Sequence, residues 1–154
     1  MTASDIPGVT PEAIDWISEQ TVQAGKDLIY TVVSQPVMEK RYPGSKRSYI
    51  PLKDMKVCGG DINSICLANV NYDNPMWRKL IDSRKNALRQ AALLGFDTLL
   101  LILLRAITLA QTEKRVCKRL EVDGLVLPSP YAELAMDVDK PGQLELLRND
   151  LLKQ

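Results

Sequence analysis

The chain has 154 residues, of which 45% are hydrophobic and 25% charged, as expected of one soluble globular domain. Its 20 basic and 19 acidic residues nearly cancel, which excludes both the basic field of a typical nucleic-acid-binding protein and the acidic excess of a disordered one. Histidine is absent, so Ser-His and Cys-His catalytic pairs are excluded, and any chemistry must use carboxylates, lysines or a hard metal ion.

The N-terminal part of the chain predicts a helix followed by a strand. Thr10, Pro11 and Glu12 supply a hydroxyl N-cap, a proline at the first helical position and an acid in the first turn. Gly25 is well placed to end this helix in a left-handed conformation. Residues 27–33 are apolar and rich in β-branched side chains, which predicts a buried strand.

The next segments predict a connection and a hairpin. Residues 34–47 are polar and contain prolines, and they predict a connection with a short helix at residues 37–41. Residues 48–52 and 55–58 flank a tight turn, which indicates a hairpin. A further strand is predicted over residues 64–68.

A helical cluster at about residues 75–121 and a mixed C-terminal part complete the chain. Three helices are predicted in the cluster, over residues 75–94, over residues 97–105 and from Thr108, which has capping-box spacing to Gln111. The C-terminal part predicts strands at residues 124–127 and 132–138 and a last helix at residues 141–151. This order predicts an α/β fold with a mixed sheet flanked by helices, in a single domain over residues 1–154.

The location of the protein is predicted from its apolar runs and its cysteines. Residues 98–104 are the most apolar stretch, far shorter than the roughly 20 residues needed to span a membrane. They predict a buried helix or a subunit contact, with docking on a membrane surface as the alternative. Cys58, Cys66 and Cys117 form no CxxC pair, and the N-terminus has no targeting pattern, so we expect a cytoplasmic protein.

Asp5 is the first candidate site residue. It precedes Ile6, Pro7 and a capped helix, a pattern typical of the chain just after a strand of an open α/β sheet. Ligands of such sheets bind at the carboxyl ends of the strands. A carboxylate there can hold Mg²⁺ against a triphosphate. The alternative is a turn aspartate that caps local amides.

A second acidic group lies near the C-terminus. Alternation along the predicted strand places Asp137 and Asp139 on one face, about 7 Å apart. Like charges at this separation repel each other unless a cation or a helix N-terminus lies nearby, and Pro141 begins such a helix. The alternative is that Asp139 only supports the helix cap.

The third element combines basic residues with paired glycines. Lys46 and Arg47 lead through the hairpin to Gly59, Gly60 and Asp61. Paired glycines let a backbone approach a ligand and offer unhindered amides to phosphate or sugar oxygens. The alternatives are a simple turn for the glycines and a solvated surface for the basic pair.

Together these segments resemble the MobA-like (molybdenum cofactor guanylyltransferase-like) nucleotidyltransferases. Residues 5–14 are similar to the family's Asp-hydrophobic-Pro and Thr-Pro-Glu segment. Residues 43–49 with residues 59–61 look like the acceptor-side loop of a subgroup, and residues 135–144 are similar to the closing Asp-Val-Asp-Thr-Pro-Glu-Asp-Leu. The segments occur in the family's order and cover nearly the whole chain.

The resemblance implies a Rossmann-like fold and the transfer of a nucleoside monophosphate from an NTP to a phosphorylated or sugar-like acceptor, with release of pyrophosphate. It also implies a Mg²⁺ cofactor. By resemblance, each candidate residue takes a role: Asp5 and Asp139 as metal ligands, Lys46 and Arg47 as catalytic residues that hold the acceptor's phosphate, and Gly59, Gly60 and Asp61 as the acceptor-binding residues.

The chain also departs from the family pattern. The family's glycine-rich loop, which binds the triphosphate, does not occur in residues 1–154, so the likeness is to the C-terminal, acceptor-side half. We therefore expect the chain to be inactive alone. Asp61 stands where the subgroup has asparagine, and Lys140, Gly142 and Gln143 replace the threonine, glutamate and aspartate of the closing motif.

Two further functions remain open on the sequence. The chain could be a non-catalytic oligomerisation or interaction module derived from this fold, which pairs with a second copy or with a separate N-terminal half. It could also be a small-molecule or phosphate binder that uses Lys46, Arg47 and the glycine pair. Binding of nucleic acid is not expected, because the charge is balanced and aromatic stacking residues are few. The base of the NTP and the acceptor are not determined by the sequence.

Overall fold

A computed structural model of the protein describes residue 2, residues 5–66 and residues 95–152. The described elements are, in chain order, α1 (Pro11–Ala24), β1 (Leu28–Ser34), α2 (Gln35–Arg41), β2 (Ile50–Pro51), β3 (Lys56–Ile65), α3 (Phe96–Leu103), α4 (Leu109–Leu120), β4 (Gly124–Ser129), a 3₁₀ helix (Ala132–Ala135) and α5 (Pro141–Leu151). The helix predicted over residues 75–94 lies outside the described residues.

The strands form one mixed sheet in the order β2-β3-β1-β4. Strand β1 is antiparallel to β3 and parallel to β4, and β2 is antiparallel to β3. A parallel pair needs a crossover connection between its strands, whereas β2 and β3 are joined by a short turn. The predicted mixed sheet flanked by helices is confirmed, while its Rossmann-like character remains a prediction.

The helix starts and ends follow the local chemistry of the sequence. The Thr10 hydroxyl accepts a hydrogen bond from the Ala13 amide at 3.3 Å, and Gly25 ends α1 with φ of 58°. At α4, Thr108 and Gln111 form the predicted capping box. These caps satisfy backbone groups that a helix terminus leaves without partners, which is why the predicted boundaries hold within about two residues.

Strand β3 contains a bulge that the sequence did not predict. Tyr30 of β1 pairs with Asn63 and Val32 pairs with Gly59, so Thr31 alone faces the three residues 60–62 of β3. The Thr31 hydroxyl donates to the Ile62 carbonyl at 2.5 Å inside the bulge. Residues 64–65 of the strand predicted at residues 64–68 are the end of β3, because one strand runs through the glycine pair to Ile65, and residues 67–68 lie outside the described residues.

The predicted strand at residues 132–138 is wrong. Residues 132–135 form a 3₁₀ turn, and all four of its side chains are buried. An apolar run of this length can bury itself in a strand or in a short helical turn. In the described part of the chain, β4 pairs with β1 alone, so no sheet edge receives residues 132–138 as a strand.

Three groups of buried side chains hold the elements together, and the first lies behind the candidate site. It joins β1, α2, β3 and the 3₁₀ turn, and α5 packs on it through Leu146 and Leu147. Its members are Val33, Met38, Tyr42, Cys58, Ala132, Ala135, Met136 and Leu147. Along the described residues, no helix is long and apolar enough to cross a membrane.

Candidate functional site

Three distant segments meet at one end of the sheet. The Val138 amide donates to the Asp5 carbonyl at 3.0 Å, which places the N-terminal loop beside the segment that carries Asp137 and Asp139. Thr2 pairs antiparallel with Ile62, so Thr2 lies against the bulge of β3. The bulge carries Asp61, and bulges commonly redirect a side chain toward a site. The candidate carboxylates of all three segments are thus neighbours.

Arg47 connects these segments. It forms an ion pair with Asp137, donates from Nη2 to the Gly59 carbonyl at 3.4 Å and lies 3.8 Å from Oδ2 of Asp61. The side chains of Arg47 and Asp137 are only 13% and 15% exposed. A planar guanidinium can satisfy several acceptors at once, so Arg47 joins β3 to the 137–139 segment. The sequence predicted that a cation or a helix N-terminus would lie near Asp137. Arg47 is a cation in that position.

Asp61 is the carboxylate most affected by the site. Burial raises its pKa, Arg47 opposes the rise, and the charges of Asp5 and Asp139 add to it. Oδ2 of Asp61 is buried and accepts no hydrogen bond, which is consistent with the dominance of burial. The contribution of Asp5 and Asp139 to the raised pKa of Asp61 places both charges within electrostatic reach of this carboxylate.

A cavity of about 280 Å³ opens beside these residues. Its lining mixes both signs of charge with polar and backbone groups: Arg47, Ser48, Cys58, Gly59, Asp137, Asp139, Lys140 and Gln143. The Cys58 thiol donates to the Val33 carbonyl at 3.5 Å, and burial raises its pKa. A thiol held in its protonated form is a poor nucleophile, so the cavity favours binding through its charged and polar groups.

Gln143 is buried at the base of this cavity. The residue is only 3% exposed. Its Oε1 accepts hydrogen bonds from the backbone amides of Asp139 at 3.1 Å and Lys140 at 2.9 Å. These bonds cap the N-terminus of α5 and fix the segment that carries Asp139. None of the hydrogen bonds between described residues uses the Gln143 NH₂ group.

The two predicted glycines have different roles. Gly59 lines the cavity, and a Cβ there would lie 2.6 Å from the hydroxyl of Tyr30. Gly60 lies inside the bulge, where a Cβ would lie 2.2 Å from Oγ1 of Thr31. Burial raises the pKa of Tyr30, and the charge of Asp61 adds to the rise, so this phenol lies near the same site.

The structure separates the two predicted basic residues. Lys46 has φ of 53°, in the left-handed region, and its side chain is exposed and does not line the cavity. Arg47, the next residue, turns inward to the carboxylates. Gln143 and Tyr30 were not among the predicted site residues. The spacing of Gln143 from the start of α5 is a capping signature that could have identified it.

The metal ligands predicted at Asp5 and Asp139 are brought close together but not enclosed. Among the residues that the structure describes, no group of three acids or cysteines could hold a metal ion. Mg²⁺ is usually held by one or two carboxylates, with substrate phosphates and water as its other ligands. The hard oxygen donors of Asp5 and Asp139 fit that ion.

The chain is similar to one solved structure, a hypothetical transferase from Thermus thermophilus, with 31% sequence identity and a TM-score of 0.82. The similarity covers 93% of this chain and 61% of that one, so the chain spans less than two thirds of the length of that protein. No protein-family model and no curated protein matches the chain. The similarity supports a transferase fold for this chain. In this chain the carboxylates and Arg47 lie at one end of the sheet.

Proposed function

We propose that the chain is the C-terminal, acceptor-side portion of a metal-dependent nucleotidyltransferase of the MobA-like kind, which transfers NMP from an NTP to an acceptor and releases pyrophosphate. The convergence of Asp5, Asp61 and Asp139 from three distant segments is the observation that carries this proposal. The likeness to a hypothetical transferase supports the general class of reaction. The finer assignment rests on the sequence motifs around these residues.

In this proposal Asp5 and Asp139 hold Mg²⁺. When bound, the ion supplies positive charge that neutralises the phosphate being transferred and orients it for in-line attack. Asp5 is exposed and Asp139 is exposed, so both carboxylates are accessible from solvent. The Val138–Asp5 backbone hydrogen bond at 3.0 Å keeps the two segments together before any ligand arrives.

The remaining residues position the acceptor. Asp137 and Gly59 line the cavity and are fixed by Arg47, while Lys140 and Ser48 offer donors at its rim. Transfer of NMP from the NTP to the acceptor, with pyrophosphate as the leaving group, requires little covalent work by the protein, because catalysis is mainly orientation and electrostatic stabilisation. The residues of the site suit that role.

Metal binding tests the proposal at the level of this chain. We expect Mn²⁺, used in place of Mg²⁺, to bind weakly to the chain in calorimetric titrations. Asp5→Asn and Asp139→Asn should each weaken that binding several-fold, because each removes one of only two proposed carboxylate ligands. Asp123→Asn is the matched control, since Asp123 is an exposed carboxylate paired with Lys26 away from the site.

The outcome against the proposal is Mn²⁺ binding that is equally strong in all three variants. We also expect no pyrophosphate release from any NTP by this chain alone, because the family's glycine-rich loop does not occur in residues 1–154. Robust turnover that is lost in Asp5→Asn would show that the chain holds the triphosphate without that loop.

The alternative function, a non-catalytic interaction module, is favoured by one specific feature. Four large apolar side chains are exposed on helix α3 and directly after it. They are Phe96, Leu100 and Leu103 in the helix and Leu104 after it. Contiguous exposed apolar surface is typical of a protein contact. Analytical ultracentrifugation at micromolar concentration would show a dimer if this surface pairs two copies, and a strict monomer would exclude that form of the module.

A further inference from the structure

We propose that the cavity beside Arg47 receives a hydroxyl-rich, uncharged part of the acceptor, such as a sugar or polyol ring, and not its phosphate group. That the ligand is an acceptor rests on the proposed function. Its hydroxyl groups are inferred from the residues that line the cavity. Three properties of its lining support the proposal: the engagement of its buried cation, the free hydrogen-bonding groups and its size.

The two terminal nitrogens of the buried cation, Nη1 and Nη2 of Arg47, are already engaged by protein groups, while its Nε is buried and has no hydrogen-bond partner among the described residues. Arg47 pairs with Asp137, contacts Asp61 at 3.8 Å and donates to the Gly59 carbonyl, with its side chain only 13% exposed. A phosphate that reached it would have to displace these partners. Arg47 is therefore a positioning residue of the cavity, which differs from the acceptor-phosphate role expected from the sequence.

The other charges of the lining disfavour an anion. Asp137 and Asp139 both line the cavity, and among the described residues its lining cations are Arg47 and the exposed Lys140. Asp5 and Asp61 add negative charge nearby, since the charge of Asp5 contributes to the raised pKa of Asp61. Like charges brought together at a binding site reduce affinity, so a dianionic phosphate ester is a poor fit for this end of the site.

Free hydrogen-bonding groups in the lining match hydroxyl groups instead. A hydroxyl donates one hydrogen bond and accepts others. The Gln143 NH₂ group is a donor without a partner among the described residues, on a residue that is 97% buried and lines the cavity. The carboxylate of Asp139 accepts no hydrogen bond from described residues and is a ready acceptor beside it. Neighbouring hydroxyls of a ring would use both groups.

The size of the cavity limits the ligand. Its volume of about 280 Å³ lies just below the range of roughly 300–1,000 Å³ for small-molecule sites. Such a volume suits one ring with its hydroxyl groups, and not a whole nucleotide. A ring held here would lie next to the proposed metal carboxylates, so the rest of the acceptor could extend toward them.

Gln143→Glu tests the donor without removing the helix cap. A glutamate oxygen can still accept the amides of Asp139 and Lys140, but the NH₂ donor is lost and a negative charge replaces it. Gln111→Glu is the matched control. The Gln111 side chain accepts the Thr108 amide at 3.1 Å in the equivalent cap of α4 and does not line this cavity.

The experiment follows the side-chain NH₂ resonances of ¹⁵N-labelled protein by NMR, without metal or nucleotide. The probes are methyl α-D-glucopyranoside, myo-inositol, glucose 6-phosphate and inorganic phosphate. We expect at least one of the two uncharged probes to shift the Gln143 resonances and leave those of Gln111 unchanged. Gln143→Glu should weaken its binding about tenfold, the effect of one lost hydrogen bond, and Gln111→Glu should leave it unchanged.

Two results would overturn this inference. The first is that neither uncharged probe shifts the Gln143 resonances. The second is that glucose 6-phosphate and inorganic phosphate bind more tightly than the uncharged probes and displace them, which would assign the cavity to the acceptor phosphate. The NMR titrations are read at Gln143 without metal, whereas the metal titrations are read at Asp5 and Asp139 without sugar. Failure at Gln143 therefore counts against this inference alone, and the proposed nucleotidyl transfer is tested by the metal titrations.

Discussion

The bulge of β3 depends on the absence of a side chain at Gly60, so Gly60→Ala should destabilise the protein. The added methyl group would lie 2.2 Å from Oγ1 of Thr31 and 3.0 Å from its carbonyl oxygen. Thr31 is fully buried in the central strand β1, where its hydroxyl donates to Ile62 at 2.5 Å. A strand with neighbours on both sides cannot move away easily, so the bulge or the hydrogen bond must give way.

The expected magnitude follows from these two costs. Overpacking of a close-packed site costs about 1–3 kcal/mol. A buried hydroxyl that loses its partner adds about 1–3 kcal/mol. Because relaxation relieves part of both, we expect Gly60→Ala to lower the free energy of unfolding by about 3 kcal/mol. At this chain length that corresponds to a fall in the melting temperature of roughly 6–12 °C.

Urea and thermal unfolding followed by circular dichroism measure this change. Gly142→Ala is the matched control, because no atom lies within 4 Å of the added methyl group and the residue is in the first turn of α5. That variant should be neutral or slightly more stable. In a Thr31→Ala background, Gly60→Ala should cost clearly less, because the 2.2 Å contact is gone. A cost of under about 0.5 kcal/mol for Gly60→Ala in the wild-type background would refute this account of the bulge.

Two further predictions concern the charges of the site. Arg47→Met should lower the free energy of unfolding by about 2–3 kcal/mol, somewhat less than the roughly 3–5 kcal/mol for a fully buried pair, because it leaves Asp137 without its partner. Arg115→Met, which breaks an ion pair with Asp97 whose side chains are 48% and 61% exposed, should cost under about 1 kcal/mol in the same urea titrations, and equal costs would contradict the prediction. Asp61→Asn should raise the free energy of unfolding at pH 7, because burial raises the pKa of Asp61 in the folded protein and its ionised form therefore opposes folding above the ordinary value of 3.8. The gain should vanish near pH 3, where the carboxyl is protonated in both states, and a gain of the same size at both pH values would contradict this explanation.

Much of the local structure could be predicted because it depends on neighbouring residues. Thr10 and Gly25 define α1 by their own hydrogen bonds and dihedral angles, and Thr108 with Gln111 does the same for α4. Such caps involve residues three or four positions apart, which a sequence pattern displays directly. The position of Asp5 after the end of a parallel strand stays a prediction, because the described residues before it make only an isolated antiparallel bridge between Thr2 and Ile62.

Features that depend on distant residues could not be predicted. The glycine pair reads locally as a turn, and only the packing of Thr31 against Gly60 identifies a bulge within a continuous strand. The ion pair of Arg47 with Asp137 joins residues 90 positions apart. Residues 132–135 form a buried 3₁₀ turn, which their apolar pattern could not distinguish from a strand.

The central claim is that Asp5, Asp61 and Asp139 share one metal-dependent site, and Mn²⁺-induced relaxation measured by NMR tests it most directly. Mn²⁺ added to ¹⁵N-labelled protein broadens the resonances of amides near the ion. We expect broadening to appear first at the amides of residues 5–6, 61–62 and 138–140. Asp5→Asn or Asp139→Asn should reduce the broadening at all three segments together. Broadening confined to other acidic positions, such as Asp97 or Asp123, would contradict the account.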